Sequence, residues 1–304
     1  MTLPYETRWR TSLQGLQVEM IATPRGPIEV AHAGEGPAVL FVHGIPGSWR
    51  QAIPLAEDLA SDFKVVLVSR PGYGASPISS GRTAAGQADV FASVLDGLDI
   101  DSSAVIGISG GGPPGAAFAE RHPSRTRGLV LACAISAHLT HIPNQMRLLM
   151  SVPFLAEVAS RLTRTVARYR INDPRAVDRA IRKNLTTDEQ QRLEEDPQIR
   201  ADLLRFLLSH LEAPPALGGF RNDLAQISRT RSGGRPAFAG AACPTLILHG
   251  DSDETVSIDH AHFYAAAIPH AELTVYEGAG HLFLFTRRPE STTRIADFLA
   301  NHAG

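Results

Sequence analysis

Three kinds of side chain that together can activate a hydroxyl lie far apart in this chain: a serine at 109, carboxylates at 251 and 253, and a histidine at 281. The serine sits in Val105-Ile-Gly-Ile-Ser-Gly-Gly-Gly112, which reads as a buried strand that stops at Ser109 and turns into a helix. Gly107 and Gly111 take the flanking positions of a Gly-x-Ser-x-Gly turn, where the backbone is too crowded for side chains. Such a turn lifts the Ser109 hydroxyl clear of a sheet. It also aims the first amides of the next helix, beginning with Gly110, at whatever the hydroxyl attacks. A glycine-rich turn with an incidental serine has the same local pattern, so the rest of the chain must decide.

A serine hydroxyl is a poor nucleophile until a base takes its proton, and an imidazole is such a base near neutral pH. A carboxylate beside the imidazole fixes its tautomer and stabilises the imidazolium that forms. Both partners are present in the last quarter. Pro244-Thr-Leu-Ile-Leu-His-Gly250 is an apolar strand followed at once by Asp251-Ser-Asp253, so a carboxylate falls on the loop at the strand's end. Ala271 to Tyr276 is a last strand, and Glu277-Gly-Ala-Gly-His281 carries His281 on the loop beyond it. Serine, acid and histidine thus each follow a different strand.

An oxyanion needs a second donor besides Gly110. The fully apolar run Ala38 to Val42 ends in His43-Gly-Ile-Pro-Gly-Ser48, and the amide of Ile45 is the candidate. His43 reads as a residue that braces this loop rather than one that transfers protons.

These loops need a scaffold that gathers strand ends. Strands are expected at Gln17–Thr23, Pro27–Ala33, Phe63–Ser69 and Arg127–Ser136 in addition to those above. Helices are expected at Ser48–Ser61, Arg82–Leu98, Gly110–Arg121, Ser257–Ala267 and Pro289–His302. Strands alternating with helices predict a doubly wound α/β fold with a mostly parallel sheet. From about His138 the pattern changes, and only helical stretches occur before Thr245: about Gln145 to Arg168, one after Pro174, and one from Asp196-Pro197 that carries Ile199, Leu203, Phe206 and Leu207. Pro214-Pro215, Gly218-Gly219 and Gly233-Gly234 divide the remainder of this region. The expected organisation is a core of residues 1–137 and 241–304 with a helical cap at 138–240, placed to cover the strand ends. Met146, Leu149, Met150, Phe154, Leu155 and Phe206 are candidates to line a pocket under it, or to be the packing stripe between cap helices.

The 304 residues, 43% hydrophobic and 20% charged, suit a globular protein, and a net charge of −2 gives no reason to expect nucleic acid or membrane as partner. The cap carries 16 Lys and Arg against 11 Asp and Glu, which reads as a solvated face rather than an acid-binding one. Cys133 and Cys243 lie in apolar runs without metal-ligand spacing and read as buried thiols. No signal peptide or membrane span is evident, so a cytoplasmic protein is expected, with its oligomeric state open.

The order Ser…Asp…His and five short motifs make the chain resemble the α/β-hydrolase superfamily. The motifs are His43-Gly-Ile-Pro-Gly47, Arg70-Pro-Gly-Tyr-Gly-Ala-Ser76, Gly107-Ile-Ser-Gly-Gly111, Gly250-Asp-Ser-Asp253 and Gly278-Ala-Gly-His281. In that family the acid usually stands three residues after the strand's terminal glycine, which implies Asp253 rather than Asp251. Asp251 becomes a turn residue, and His249 and His270 take structural or surface roles. Serine at the turn separates the chain from similar haloalkane dehalogenases and epoxide hydrolases, which use aspartate there.

The resemblance implies an esterase-like enzyme that cleaves a small or medium carboxylic ester through an acyl-enzyme, with Ser109, His281 and Asp253 catalytic, the Ile45 and Gly110 amides as oxyanion hole, and neither metal nor organic cofactor. Rivals on the same residues are a proline-iminopeptidase-like aminopeptidase, a C–C bond hydrolase, a thioesterase and a lactonase. The aminopeptidase would need an acidic residue such as Glu194, Glu195, Asp196 or Glu212 to hold an ammonium group. A ligand-binding receptor with little turnover is the rival of another class.

Overall fold

The computed structural model describes residues 12–136, 162, 165–167, 169–212, 217–230 and 241–302. Eight strands form one sheet: β1 (Gln17–Ile21), β2 (Ile28–Ala33), β3 (Ala38–Val42), β4 (Lys64–Val68), β5 (Ser103–Ile108), β6 (Thr126–Ala132), β7 (Thr245–Gly250) and β8 (Glu272–Tyr276). Their order is β1-β2-β4-β3-β5-β6-β7-β8. β1 pairs antiparallel with β2, as does β2 with β4, and every other neighbour is parallel. The central strands are apolar on both faces because helices cover both.

Alternation along each strand feeds two separate cores. Leu40, Val42, Val66, Val68 and Val105 face helices α2 (Ala84–Gly97), α3 (Gly112–Arg121) and α8 (Asp259–Ala267). Val39, Phe41, Val65, Leu67 and Ile106 face α1 (Ile53–Leu59), the short α9 (Phe283–Thr286) and α10 (Arg288–His302) on the other side. Shifting any of these strands by one residue would exchange the two sets, which fixes the register. The expected doubly wound α/β fold is thus the one observed, with element ends moved by up to five residues where turns tighten. Trp49–Ala52, for example, is a 3₁₀ turn ahead of α1 rather than its first turn.

Between β6 and β7 the described residues hold helices α4 (Pro174–Arg182), α5 (Thr187–Glu195), α6 (Pro197–Glu212) and α7 (Leu217–Thr230). Helices α4 and α6 begin where expected. Most of the helix expected over 145–168 lies outside the described residues, as do Met146, Leu149, Met150, Phe154 and Leu155. Two helices depart from the expectation. α5 is opened by a capping box, Thr186 to Glu189. α7 runs through Gly218-Gly219, where the sequence pattern predicts a break. The insertion has a small core of its own, with Ile181, Leu193, Ile199 and Leu203 packed against Leu282 and Phe285 of the turn after His281. Among the described residues, no helix is long and apolar enough to cross a membrane.

Candidate active site

Parallel strands deliver their C-terminal ends to one edge of the sheet, and the loops leaving β3, β5, β7 and β8 meet there. Ser109 follows β5 with φ of +50°, a left-handed conformation that costs a side-chain-bearing residue of order 1–3 kcal/mol. The turn is forced by close packing. A Cβ on Gly111 would lie 2.0 Å from the Val42 carbonyl oxygen, so only glycine fits where α3 begins against the end of β3.

Ser109, His281 and Asp253 are brought together across 172 and 28 residues of sequence. His281 Nε2 lies 3.1 Å from Ser109 Oγ, and His281 Nδ1 lies 2.7 Å from Asp253 Oδ2. With Nδ1–H donating to the carboxylate, Nε2 is left bare toward the serine, ready to take its proton. Asp253 is buried, and its Oδ1 accepts the amides of Thr255 and Val256 at 2.8 Å each. Both oxygens of the carboxylate are therefore fixed. Asp251 is exposed and does something else. Its Oδ1 accepts the Gly278 amide at 2.8 Å, tying the acid loop to the loop that carries His281.

Ile45 and Gly110 are in contact. A Cβ on Gly110 would lie 2.1 Å from Ile45 Cγ1. Among the described residues, neither amide donates to a turn or loop carbonyl. His43 is buried beneath this loop, its Nδ1–H donating to the Gly44 carbonyl at 2.8 Å and its Nε2 accepting the Arg70 amide at 3.0 Å. Burial, and then the Arg70 charge, hold its pKa well below the ordinary value, so it is a neutral brace.

The remaining candidates fall where their surroundings dictate. Cys133, at the end of β6, lines the cavity beside Ser109. Burial, and then the Asp253 charge, push its pKa well up, which keeps it a protonated thiol and a poor nucleophile. Cys243 is half-buried rather than buried. His249 is buried and donates from Nε2 to the Val256 carbonyl at 2.8 Å, while His270 is exposed on a turn.

Above Ser109 lies a cavity of about 330 Å³. Its walls come from α1, from the turn after His281 and from α6 and α7, with Leu55, Phe206, Phe220, Leu224 and Phe285 prominent. Among the described residues no Asp, Glu, Lys or Arg lines it, and Gln51, His210 and Thr255 are its polar contributions besides Ser109 and His281. Glu194, Glu195 and Asp196 lie elsewhere, on the bonds they make with Arg182, Gln191 and the Gln198 amide. α7 is the wall that sequence reasoning missed. Gly219 is the reason it fits, since a Cβ there would lie 2.5 Å from the Tyr73 ring. Asp223 on the same helix accepts from buried Arg70 at 2.8 Å and from the Tyr73 hydroxyl at 2.6 Å.

Known proteins resemble the whole chain. It is 27% identical over 282 residues, 92% of this chain and 96% of the relative, to the uncharacterized hydrolase YcgS of Bacillus subtilis. It is 28% identical over 283 residues to the poly(3-hydroxyalkanoate) depolymerase of Ectopseudomonas oleovorans, covering 86% of this chain and 83% of that one. The solved alpha/beta hydrolase fold protein from Nakamurella multipartita superposes with a TM-score of 0.74 at 26% identity, covering 93% of this chain and 99% of that one. The family defined by the alpha/beta hydrolase fold matches residues 37–287, from the start of β3 to the turn after His281, and the chain belongs to that family of hydrolases.

Proposed function

We propose that this hydrolase cleaves an uncharged, apolar carboxylic ester of small or medium size through an acyl-enzyme, with Ser109 as nucleophile. The observation that carries the reading is the run of contacts from Asp253 through His281 to Ser109, 2.7 and 3.1 Å, at the floor of a cavity with no charged wall among the described residues. As Ser109 Oγ attacks the carbonyl carbon, His281 Nε2 takes its proton and Asp253 stabilises the imidazolium. The negative charge on the former carbonyl oxygen is held by the Ile45 and Gly110 amides. Collapse expels the alcohol, which leaves with the proton from His281. A water then attacks the acyl carbon, and the same proton transfers in reverse release the acid and Ser109.

The cavity has room for about ten non-hydrogen atoms, at roughly 30 Å³ each. Among the described residues an ammonium-bearing peptide or a carboxylate-bearing diketone finds no counter-charge there, which favours an uncharged ester. The depolymerase relative acts, by its name, on a poly(3-hydroxyalkanoate), whose links are esters. That similarity supports the same reading. The inserted helices, as the cap over residues 138–240, form the roof that sets substrate size.

The test is hydrolysis of p-nitrophenyl esters of increasing acyl length by the protein and by Ser109→Ala. Turnover that is lost in the variant and peaks at short or medium acyl chains is the expected result. Equal inactivity of both proteins toward every ester would overturn it.

A further inference from the structure

The Ile45 amide can serve an oxyanion only if the Gly44–Pro46 stretch holds one shape, yet this stretch is flanked by glycines and belongs to no helix or strand. One buried side chain grips it on both sides. The Gly44 amide donates to Gln51 Oε1 at 2.8 Å, and Gln51 Nε2 donates to the Pro46 carbonyl at 3.0 Å. A single planar amide thus saturates the groups that bracket Ile45.

Gln51 is itself held from the insertion. His210, on α6, places Nδ1 2.8 Å from the Phe206 carbonyl, and its Nε2 lies 3.3 Å from Gln51 Nε2 and 3.1 Å from the Pro46 carbonyl. Two carbonyls face this ring: with the proton on Nδ1 it donates to Phe206 and accepts the second Gln51 N–H at Nε2, and with the proton on Nε2 it donates to the Pro46 carbonyl itself. Either tautomer ties the β3 loop to α6. The connection runs from the Gly44 amide and the Pro46 carbonyl through Gln51 and His210 to α6.

We propose that Gln51 is the positioning residue of the oxyanion hole and that His210 extends this support into α6, making the inserted helices part of the apparatus that shapes the Ile45 amide. The inference rests on the reading of Ile45 and Gly110 as oxyanion donors. An error of about 1 Å at such a donor costs on the order of 10²-fold in rate, because the interaction is needed in the transition state and little in the ground state.

Gln51→Leu, Gln51→Glu, His210→Phe and His210→Gln are compared with the wild-type protein on one p-nitrophenyl ester, each with its melting temperature. Gln51→Leu is expected to lower kcat about 10- to 100-fold with KM changed less than about threefold, a part of the 10²–10³ that loss of one donor costs. Gln51→Glu, which keeps the acceptor for Gly44 but loses both donors, follows it. His210→Phe loses a few-fold, and His210→Gln, which restores a polar group near Nε2, recovers part of that loss. An alkyl boronic acid, which adds to Ser109 and puts an oxygen where the oxyanion forms, should weaken in proportion to kcat/KM across the series. Unchanged kcat and boronate affinity, a change confined to KM, or losses that track only the melting temperature would overturn the proposal. Failure of the underlying reading is separate and shows in the wild type, as absent ester turnover and no labelling of Ser109 by an alkyl fluorophosphonate.

Discussion

Glu189 and Thr286 meet across the join between the insertion and the turn after His281, with Thr286 Oγ1 donating to Glu189 Oε1 at 2.6 Å. Glu189 is fully buried, and its other oxygen accepts the Thr186 amide at 3.0 Å to close the capping box of α5. Thr186 Oγ1 in turn donates to the Gly278 carbonyl at 2.7 Å. The start of α5 is therefore built into the loop that carries His281.

Glu189→Ala should destabilise the protein by about 1–3 kcal/mol, because it strands buried donors rather than merely deleting a contact. It should also lower kcat, through a looser His281 loop. Glu189→Gln, which still accepts one of the bonds, should lose less of both. Denaturant unfolding and steady-state kinetics on the same samples check this. Wild-type stability in Glu189→Ala would mean that the loop is held by other contacts.

Asp253→Asn tests the orientation of His281. In that variant the side-chain amide oxygen can still accept from Thr255 and Val256, which turns the NH₂ group toward His281 Nδ1. The ring must then accept at Nδ1 and carry its proton on Nε2, facing Ser109, where it cannot act as base. Activity should fall by about 10⁴-fold with little change in melting temperature. Asp251→Asn, on the exposed neighbour, should keep activity within about threefold, and the reverse ranking would make Asp251 the acid.

Much of this was legible in the sequence, for identifiable reasons. β3 to β7 are largely apolar, so they stand out as runs, and the loops that carry His43, Ser109 and Asp253 begin where a run stops. α5 is different. It buries Leu193 and Glu189 alone, so it has no apolar stripe to read, and the capping box was its available signal. α7 was hidden by Gly218-Gly219, which looks like a break. Gly219 in fact lets the helix approach Gly72 and Tyr73, a reason that lies 147 residues away in the chain. Gln51 and His210 carry no local signal at all, because their partnership exists only once the insertion is folded over the β3 loop.

Three buried histidines and the half-buried His210 make stability depend on pH in a definite direction. Burial holds His43 well below the ordinary value of 6.5, and it also lowers His210, His249 and His260. Between those depressed values and 6.5, the unfolded chain binds protons that the folded one does not. Stability is therefore full above about pH 6.5 and is lost as pH falls below it, at up to about 1.4 kcal/mol per pH unit for each histidine. Denaturant unfolding at pH 7.5, 6.5 and 5.5 should show a shallow change in the first interval and a steep loss in the second. Equal stability at 7.5 and 5.5 would show that these rings charge as freely in the fold as out of it.

Arg70 and Asp223 form a buried pair, 2.8 Å apart, joining the loop after β4 to α7. Arg70 also donates from Nε to Gln87 at 3.1 Å, and the Tyr73 hydroxyl donates to Asp223, so the charges are paired, with Arg70 Nη1 left without a partner among the described residues. Removing one partner should be worse than removing both. Asp223→Leu leaves a guanidinium buried without its counter-charge, and a loss of about 3–5 kcal/mol is expected. Arg70→Met together with Asp223→Leu deletes the desolvation cost along with the attraction and should recover most of that loss. Since α7 supplies Phe220 and Leu224 to the cavity, the single variant should also broaden the acyl-length profile while the double variant restores it. A double variant no more stable than Asp223→Leu would show that Arg70 and Asp223 are not energetically coupled and that α7 is held by its apolar face alone.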